Sequence, residues 1–176
     1  MKNSAPVILL KLSLHLVMVV SVILAGCNKK SENSDTASRE SIYDDIELKD
    51  VNGMPIDLNQ YEGKVIFINF WATWCKPCLA EMPSIEKAQS ILEEKNIIFL
   101  LASNEELTRI QNFKNKSSLK FNYVQVQNME ALNIQALPTT FIIDPKGELI
   151  FSEAGYRNWE DPKNIELITK IMNNYE

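Results

Sequence analysis

Six consecutive residues, Val65 to Phe70, are apolar at every position but Asn69 and rich in β-branched and aromatic side chains. A strand with one wet face would alternate, so this one is read as buried on both faces, inside a sheet covered on each side. The chain leaves it through Trp71-Ala72-Thr73-Trp74-Cys75. Beyond Pro77, the apolar residues Leu79, Met82, Ile85, Ala88, Ile91 and Leu92 recur three and four apart. That is the stripe of a helix lying on the sheet, running to about Glu94. Pro83 falls inside it and removes an intrahelical hydrogen bond, so a kink is expected.

The remaining pattern supplies an α/β frame. Ile46–Lys49 and Pro55–Leu58 flank Asn52-Gly53, two residues that accept positive φ, and predict an N-terminal β-hairpin. Ile97–Leu101 reads as a second buried strand, Glu105–Lys114 as a helix, Tyr123–Val126 as a short strand and Met129–Leu132 as one helical turn. Thr139–Ile143 and Glu148–Phe151 flank Asp144-Pro145-Lys146-Gly147 as a second hairpin, and Asp161-Pro162 caps a last helix to about Asn173. This order predicts a central mixed sheet with helices on both faces. Cys75 and Cys78 stand where the first core strand gives way to the long helix, the carboxyl end at which open α/β sheets place their sites.

The N-terminus is of a different kind. Lys2 and Lys11 precede an uncharged apolar run ending in Leu24-Ala25-Gly26-Cys27, the layout of a secretory signal. The run is too short for the roughly 20 residues of a membrane span. Leu-Ala-Gly-Cys also resembles the lipobox of bacterial lipoproteins, which implies cleavage before Cys27 and acylation of that residue. The expected organisation is a signal peptide over 1–26, a flexible tether over 27–42 and one folded domain over 43–176. The tether residues are nearly all polar, too little burial to offset chain ordering. Past the signal the chain carries 16 basic and 23 acidic residues, so no nucleic-acid partner is expected. Membrane attachment is expected through lipid at Cys27.

Three cysteines are an awkward number for an exported chain, and lipidation of one leaves a single pair. Cys75 and Cys78 at a helix start lie close enough to form a disulfide. The first sulfur would lie near unpaired N–H groups and the positive end of the helix dipole, which favours thiolate at Cys75. Cys78, one turn further in, would be the resolving thiol. Lys76 can add positive charge beside Cys75, and Pro77 suits the first turn, where its missing N–H is no loss. Both are candidate redox-tuning residues. The rival reading of a CxxC as half a zinc site lacks ligands, because the only histidine, His15, leaves with the signal and Cys27 is acylated. No metal is expected. A purely structural disulfide stays open, although so short a loop stabilises little.

Asn69-Phe70-Trp71-Ala72-Thr73-Trp74-Cys75-Lys76-Pro77-Cys78, followed by Glu81-Met82-Pro83, resembles the TlpA/ResA-like branch of the thioredoxin superfamily. The likeness extends back through Leu48–Gly53 and Tyr61–Val65 and forward to Leu137–Asp144 and Gly147. It implies a thioredoxin-like fold and a monomeric thiol-disulfide oxidoreductase with no cofactor beyond the Cys75–Cys78 disulfide. It further implies Cys75 as exposed nucleophile, Cys78 as resolving cysteine, Trp74 as a flanking aromatic and Pro138 as a cis-proline that presents the backbone of Leu137 to substrate. Asn69 stands where thioredoxin keeps a buried aspartate, and the resemblance makes Glu81 its substitute as proton acceptor for Cys78. Ala136 stands where the family usually has glycine. Trp159 is read as packing.

The resemblance implies a reductant of exported protein disulfides, including those of apocytochrome c, facing the periplasm or cell exterior and recharged by a membrane-embedded electron donor. Two alternatives are a disulfide-donating oxidase of the same fold and a binding module without turnover.

Overall fold

The computed structural model describes residues 41–175. The expected signal peptide, Cys27 and nearly all of the expected tether lie outside the described residues. The described chain forms β1 (Leu48–Asp50), β2 (Pro55–Ile56), β3 (Val65–Phe70), α1 (Lys76–Ile91), β4 (Ile97–Ser103), α2 (Leu107–Lys116), β5 (Asn122–Val126), β6 (Thr139–Ile143), β7 (Leu149–Ala154) and α3 (Pro162–Asn173). Short 3-10 turns occupy Ile42–Asp45 and Leu58–Tyr61. The seven strands make one mixed sheet in the order β2-β1-β5-β4-β3-β6-β7, parallel within β5-β4-β3 and antiparallel elsewhere. Among the described residues no helix is long and apolar enough to cross a membrane.

β3 is the central strand, buried at all six positions. Its side chains alternate between two cores: Val65 and Phe67 join one, Ile66, Ile68 and Phe70 the other. The expected helices on both faces are found on only one. Ile85 and Ala88 of α1, Ile110 of α2, and Ile168 and Met172 of α3 all enter the core of Val65 and Phe67. The opposite core is closed by Tyr43 and Leu58 of the 3-10 turns and by Met129, Leu132 and Ile134 of an irregular connection. The reason is topological. β3 to β4 and β4 to β5 are successive parallel steps in one direction across the sheet, so right-handed crossovers put both intervening helices on the same face. α3 then returns to that face after the β6–β7 hairpin.

Local departures from the sequence reading have identifiable causes. In the first hairpin only Gly53 adopts positive φ, +86°. Asn52 does not need to, because the Asp50 carboxylate caps the turn, accepting from the N–H groups of Asn52 and Met54 at 2.8 Å each. α1 continues through Pro83 but ends at Ile91, three residues early, and α2 begins at Leu107, two residues late. β7 starts at Leu149 and extends to Ala154. Asp161 caps α3 by accepting from Lys163 N–H at 2.9 Å.

The Ser41 hydroxyl caps the first 3-10 turn, accepting from Tyr43 N–H at 3.2 Å. The N–H of Ile42 donates to Gly147 O at 2.9 Å, and the buried Tyr43 hydroxyl donates to Asp144 O at 3.2 Å. Gly147 has φ +85°, and a Cβ there would lie 2.1 Å from Ser41 Oγ.

Candidate redox site

β3 delivers the chain to the site. Trp71 N–H still bonds to Ala102 O of β4 at 2.9 Å, after which the backbone leaves the sheet and turns into α1. Cys75 is the N-cap of that helix and Cys78 lies in its first turn. The two are joined by a disulfide, and Cys78 N–H points at Cys75 Sγ at 3.3 Å. The pair thus sits at the unpaired N–H end of a 16-residue helix, where negative charge on the first sulfur is favoured.

The order of exposure within the pair is as implied, but its scale is not. Cys78 is 0% exposed and Cys75 only 4%, so Cys75 is not an open thiol in the disulfide form. Trp71 and Ala72, both fully buried, bring the loop in close against the core. Trp74 is 69% exposed beside it, and Lys76 and Pro77 are also exposed. The solvent-facing surface of the motif is therefore made by its neighbours more than by its sulfur.

Pro138 reaches the same end of the sheet by register. It precedes β6, whose first residue, Thr139, pairs with Phe70, the last residue of β3. The Leu137–Pro138 peptide is cis, and Pro138 O accepts from Gly155 N–H at 2.7 Å. Ala136 needs no special conformation. Among the described residues the only non-glycine with positive φ is Asn133, and Ala136 O accepts from the Thr139 hydroxyl at 2.7 Å.

Beneath the pair lies a buried polar group. Glu81, 0% exposed, shares a helix face with Cys78 at a spacing of three residues. Burial pushes its carboxyl up from the ordinary range to about 7, and two hydrogen bonds hold it back from rising further. Arg157 N–H donates to Oε2 at 3.0 Å, and Asn69 Nδ2 donates to Oε1 at 2.6 Å. Asn69 also donates to Thr140 Oγ1 at 3.0 Å, while its own buried Oδ1 has no partner. Asn69 is therefore the holder of the acid and not a vacant version of one. The carboxyl thus titrates near neutrality on the helix face it shares with Cys78, which is the range a proton acceptor for a thiol needs.

The sequence reading missed Arg157, Thr140 and Ser84. Arg157 acts through its backbone, which no residue-type pattern reveals. Its guanidinium packs 5.4 Å from the Phe151 ring and 5.5 Å from the Trp159 ring and donates to Asn164 at 2.6 Å, fixing that backbone in place. Ser84 donates to Glu81 O at 2.7 Å and accepts from Trp159 N–H at 3.0 Å. Trp159 is 1% exposed and meets Phe67 edge-on at 4.7 Å, a packing role. Cys27 lies outside the described residues, where nothing places it relative to this site.

A cysteine pair at the head of a helix, a cis-proline at the same end of the sheet and a mixed sheet of this order define a thioredoxin-like protein whose cysteine pair is placed as in thiol-disulfide exchange proteins. Comparison with known proteins agrees and is narrower. The sequence matches the AhpC/TSA family over residues 41–152. It is 30% identical over 136 residues to thiol-disulfide oxidoreductase ResA of Bacillus subtilis, covering 75% of this chain and 72% of that one. It is 38% identical over 109 residues to ResA of Geobacillus kaustophilus, covering 60% of this chain and 63% of the relative, a little under two thirds of its length. A crystal structure of a thiol:disulfide interchange protein of the thioredoxin family from Chlorobium tepidum superposes with a TM-score of 0.60 at 26% identity, covering 70% of this chain and 90% of that one. The chain belongs to the AhpC/TSA family and, within the thioredoxin superfamily, to its TlpA/ResA-like members.

Proposed function

We propose that the protein is a membrane-anchored reductant of disulfides in exported proteins, lipidated at Cys27 and facing the periplasm or cell exterior. The observation that carries the chemistry is the Cys75–Cys78 disulfide capping α1, with the buried Glu81 on the face of Cys78. In the reduced protein the Cys75 thiolate attacks one sulfur of a substrate disulfide, forming a mixed disulfide and releasing the other substrate sulfur as a thiolate. Cys78, giving its proton to Glu81, then attacks Cys75 Sγ. The second substrate sulfur leaves, and the Cys75–Cys78 disulfide closes. Two electrons pass to the substrate, and a membrane-embedded thiol donor returns them to the pair.

Trp74 offers exposed apolar surface beside the attacking sulfur, and Leu137 before the cis-proline offers a backbone edge for an extended substrate segment. Lys76 and Pro77 tune the pair. The leader ending at Cys27 supports the location, and the polar tether holds the domain off the bilayer. Apocytochrome c before haem attachment is one substrate of the right kind, an exported protein whose cysteines must be reduced.

A Cys78→Ser variant expressed in the parent bacterium should accumulate mixed disulfides through Cys75 with exported proteins. Alkylation of cellular thiols should find the wild-type pair mostly reduced. No trapped partner would end the exchange reading, whereas trapped partners with a mostly oxidised pair would reverse its direction.

A further inference from the structure

The connection from β3 to α1 is anchored at its start by the buried Trp71, whose ring lies 4.6 Å from that of Phe113, and at its end by Cys75 N–H on Ala72 O at 3.1 Å. Between them, a residue from another element grips the loop. Glu105, in the turn between β4 and α2, accepts from Thr73 N–H through Oε2 at 2.6 Å and from the Thr73 hydroxyl through Oε1 at 2.8 Å. Its side chain is 10% exposed. Each oxygen thus accepts a short hydrogen bond from one residue two positions before Cys75, and hydrogen bonds to a carboxylate are stronger than neutral ones.

Glu105 is itself fixed from several sides. The Ser103 hydroxyl donates to Oε2 at 3.3 Å and accepts from Glu105 N–H at 3.2 Å, Gln125 of β5 donates to Glu105 O at 3.0 Å, and the Arg109 guanidinium lies 3.6 Å from Oε1. These contacts reach into β4, β5 and α2, so the grip on Thr73 is transmitted from the frame of the domain. They also explain why α2 starts two residues later than its sequence pattern suggests, since Glu105 is held in the turn.

From this we infer that Glu105 is a positioning residue for the redox loop. Its two-armed hold on Thr73 sets the path of Thr73-Trp74-Cys75, keeping the Cys75 sulfur against the N–H groups of α1 and Trp74 outward beside it. The inference rests on Cys75 being the attacking thiol. Alkylation of the reduced wild-type protein, mapped by peptide mass, tests that separately.

A clasp and a mere nearby charge predict opposite signs. Losing the clasp lets the loop drift from the helix end, so the Cys75 thiolate is less favoured and its reactivity profile moves to higher pH. Losing only a negative charge would move the profile to lower pH. Lys76 beside Cys75, Glu81 below Cys78 and Arg109 over the carboxylate are unchanged in the variants compared.

The test measures iodoacetamide alkylation of Cys75 against pH in the reduced protein, together with hydrogen exchange at the Thr73 amide. Glu105→Ala should slow alkylation at pH 7 about tenfold, shift the profile upward and speed Thr73 exchange at least about tenfold. Glu105→Gln keeps an acceptor oxygen and should stay within about threefold of wild type. Thr73→Val, which deletes only the hydroxyl arm, should move the profile in the same direction by less, and it reads the clasp even if Glu105→Ala folds poorly. Profiles that move downward together in Glu105→Ala and Glu105→Gln overturn the clasp. So does a wild-type profile in both Glu105→Ala and Thr73→Val.

Discussion

Replacing Glu81 by glutamine should stabilise the disulfide form at pH 8 and change it much less at pH 5. The Glu81 carboxyl titrates near 7 in the fold, against 4.5 for the unperturbed side chain, because burial outweighs the N–H groups of Arg157 and Asn69. Between those values the folded protein holds a proton that the unfolded chain has released, so stability falls as pH rises from 4.5 and levels off above 7. At about 1.4 kcal/mol per pH unit, ionised Glu81 costs about 3 kcal/mol of stability. Glutamine carries no charge to lose. Its carbonyl can accept from Arg157 N–H, and its amide fits if Asn69 turns over. The Asn69 Oδ1, now without a partner, would then accept from both the glutamine amide and the Thr140 hydroxyl. Urea unfolding of the two oxidised proteins at pH 5 to 8 measures the difference, in which all other titrations cancel. The advantage of the variant should widen by about 2.5 kcal/mol from pH 5 to pH 8. The same variant should close the mixed disulfide about a hundredfold more slowly at pH 7. A stability difference that stays flat or narrows with pH would refute the burial argument.

Three other perturbations probe the frame. Gly147→Ala places a Cβ 2.1 Å from Ser41 Oγ at a residue with φ +85°, so it should cost about 2 kcal/mol and lower the melting temperature by roughly 6 °C, read by calorimetry. Trp159→Ala empties the space against Phe67 and Phe151 and should cost about 3 to 5 kcal/mol in urea unfolding. It should also raise the apparent flexibility of the Arg157 N–H in hydrogen exchange. Lys76→Glu should move the alkylation profile of Cys75 to higher pH at low salt, with the shift fading at 1 M salt as the exposed charge is screened. No shift at low salt would place Lys76 in solvent, away from the sulfur.

The parts of the fold legible in the sequence are those where side-chain period and burial coincide. Val65–Phe70 reads as doubly buried because its odd and even positions feed two separate cores, and Pro162–Asn173 reads as a capped helix from Asp161-Pro162. Of the candidate site residues, Cys75 and Cys78 could be named from residue type and spacing, Glu81 and Pro138 from the family resemblance, and the fold brings them to one end of the sheet. What was illegible is carried by backbone or by long-range side-chain use. Arg157 contributes an N–H group. Glu105 has good helix propensity and was read into α2, yet its carboxylate caps a loop 32 positions earlier, and local propensity yields to that contact. The uneven covering of the sheet was likewise invisible, because periodicity shows that a strand is buried and says nothing of which neighbour lies on which face.

Under the proposed mechanism, a proton acceptor carried on the helix at Glu81, and not on the strand at position 69, is tied to different parts of the fold. At position 69 a side chain projects from the centre of the sheet, between Leu101 of β4 and Thr140 of β6, and its distance from the cysteines depends on how α1 packs. At position 81 the acid travels with Cys78 on one rigid helix, so their separation is set by helical geometry. The sheet then supplies the donor, through Asn69, and the loop after β7 supplies a second, through Arg157. Both donors favour the charged form of Glu81 and burial opposes it, which leaves the carboxyl near neutrality and able to move in either direction. An acid held by one element and solvated by two others can take a proton from Cys78 and return it without any of the three elements changing place. That arrangement requires asparagine at 69 as much as glutamate at 81, since an aspartate there would put a second acceptor against Glu81 where it now receives its shortest hydrogen bond.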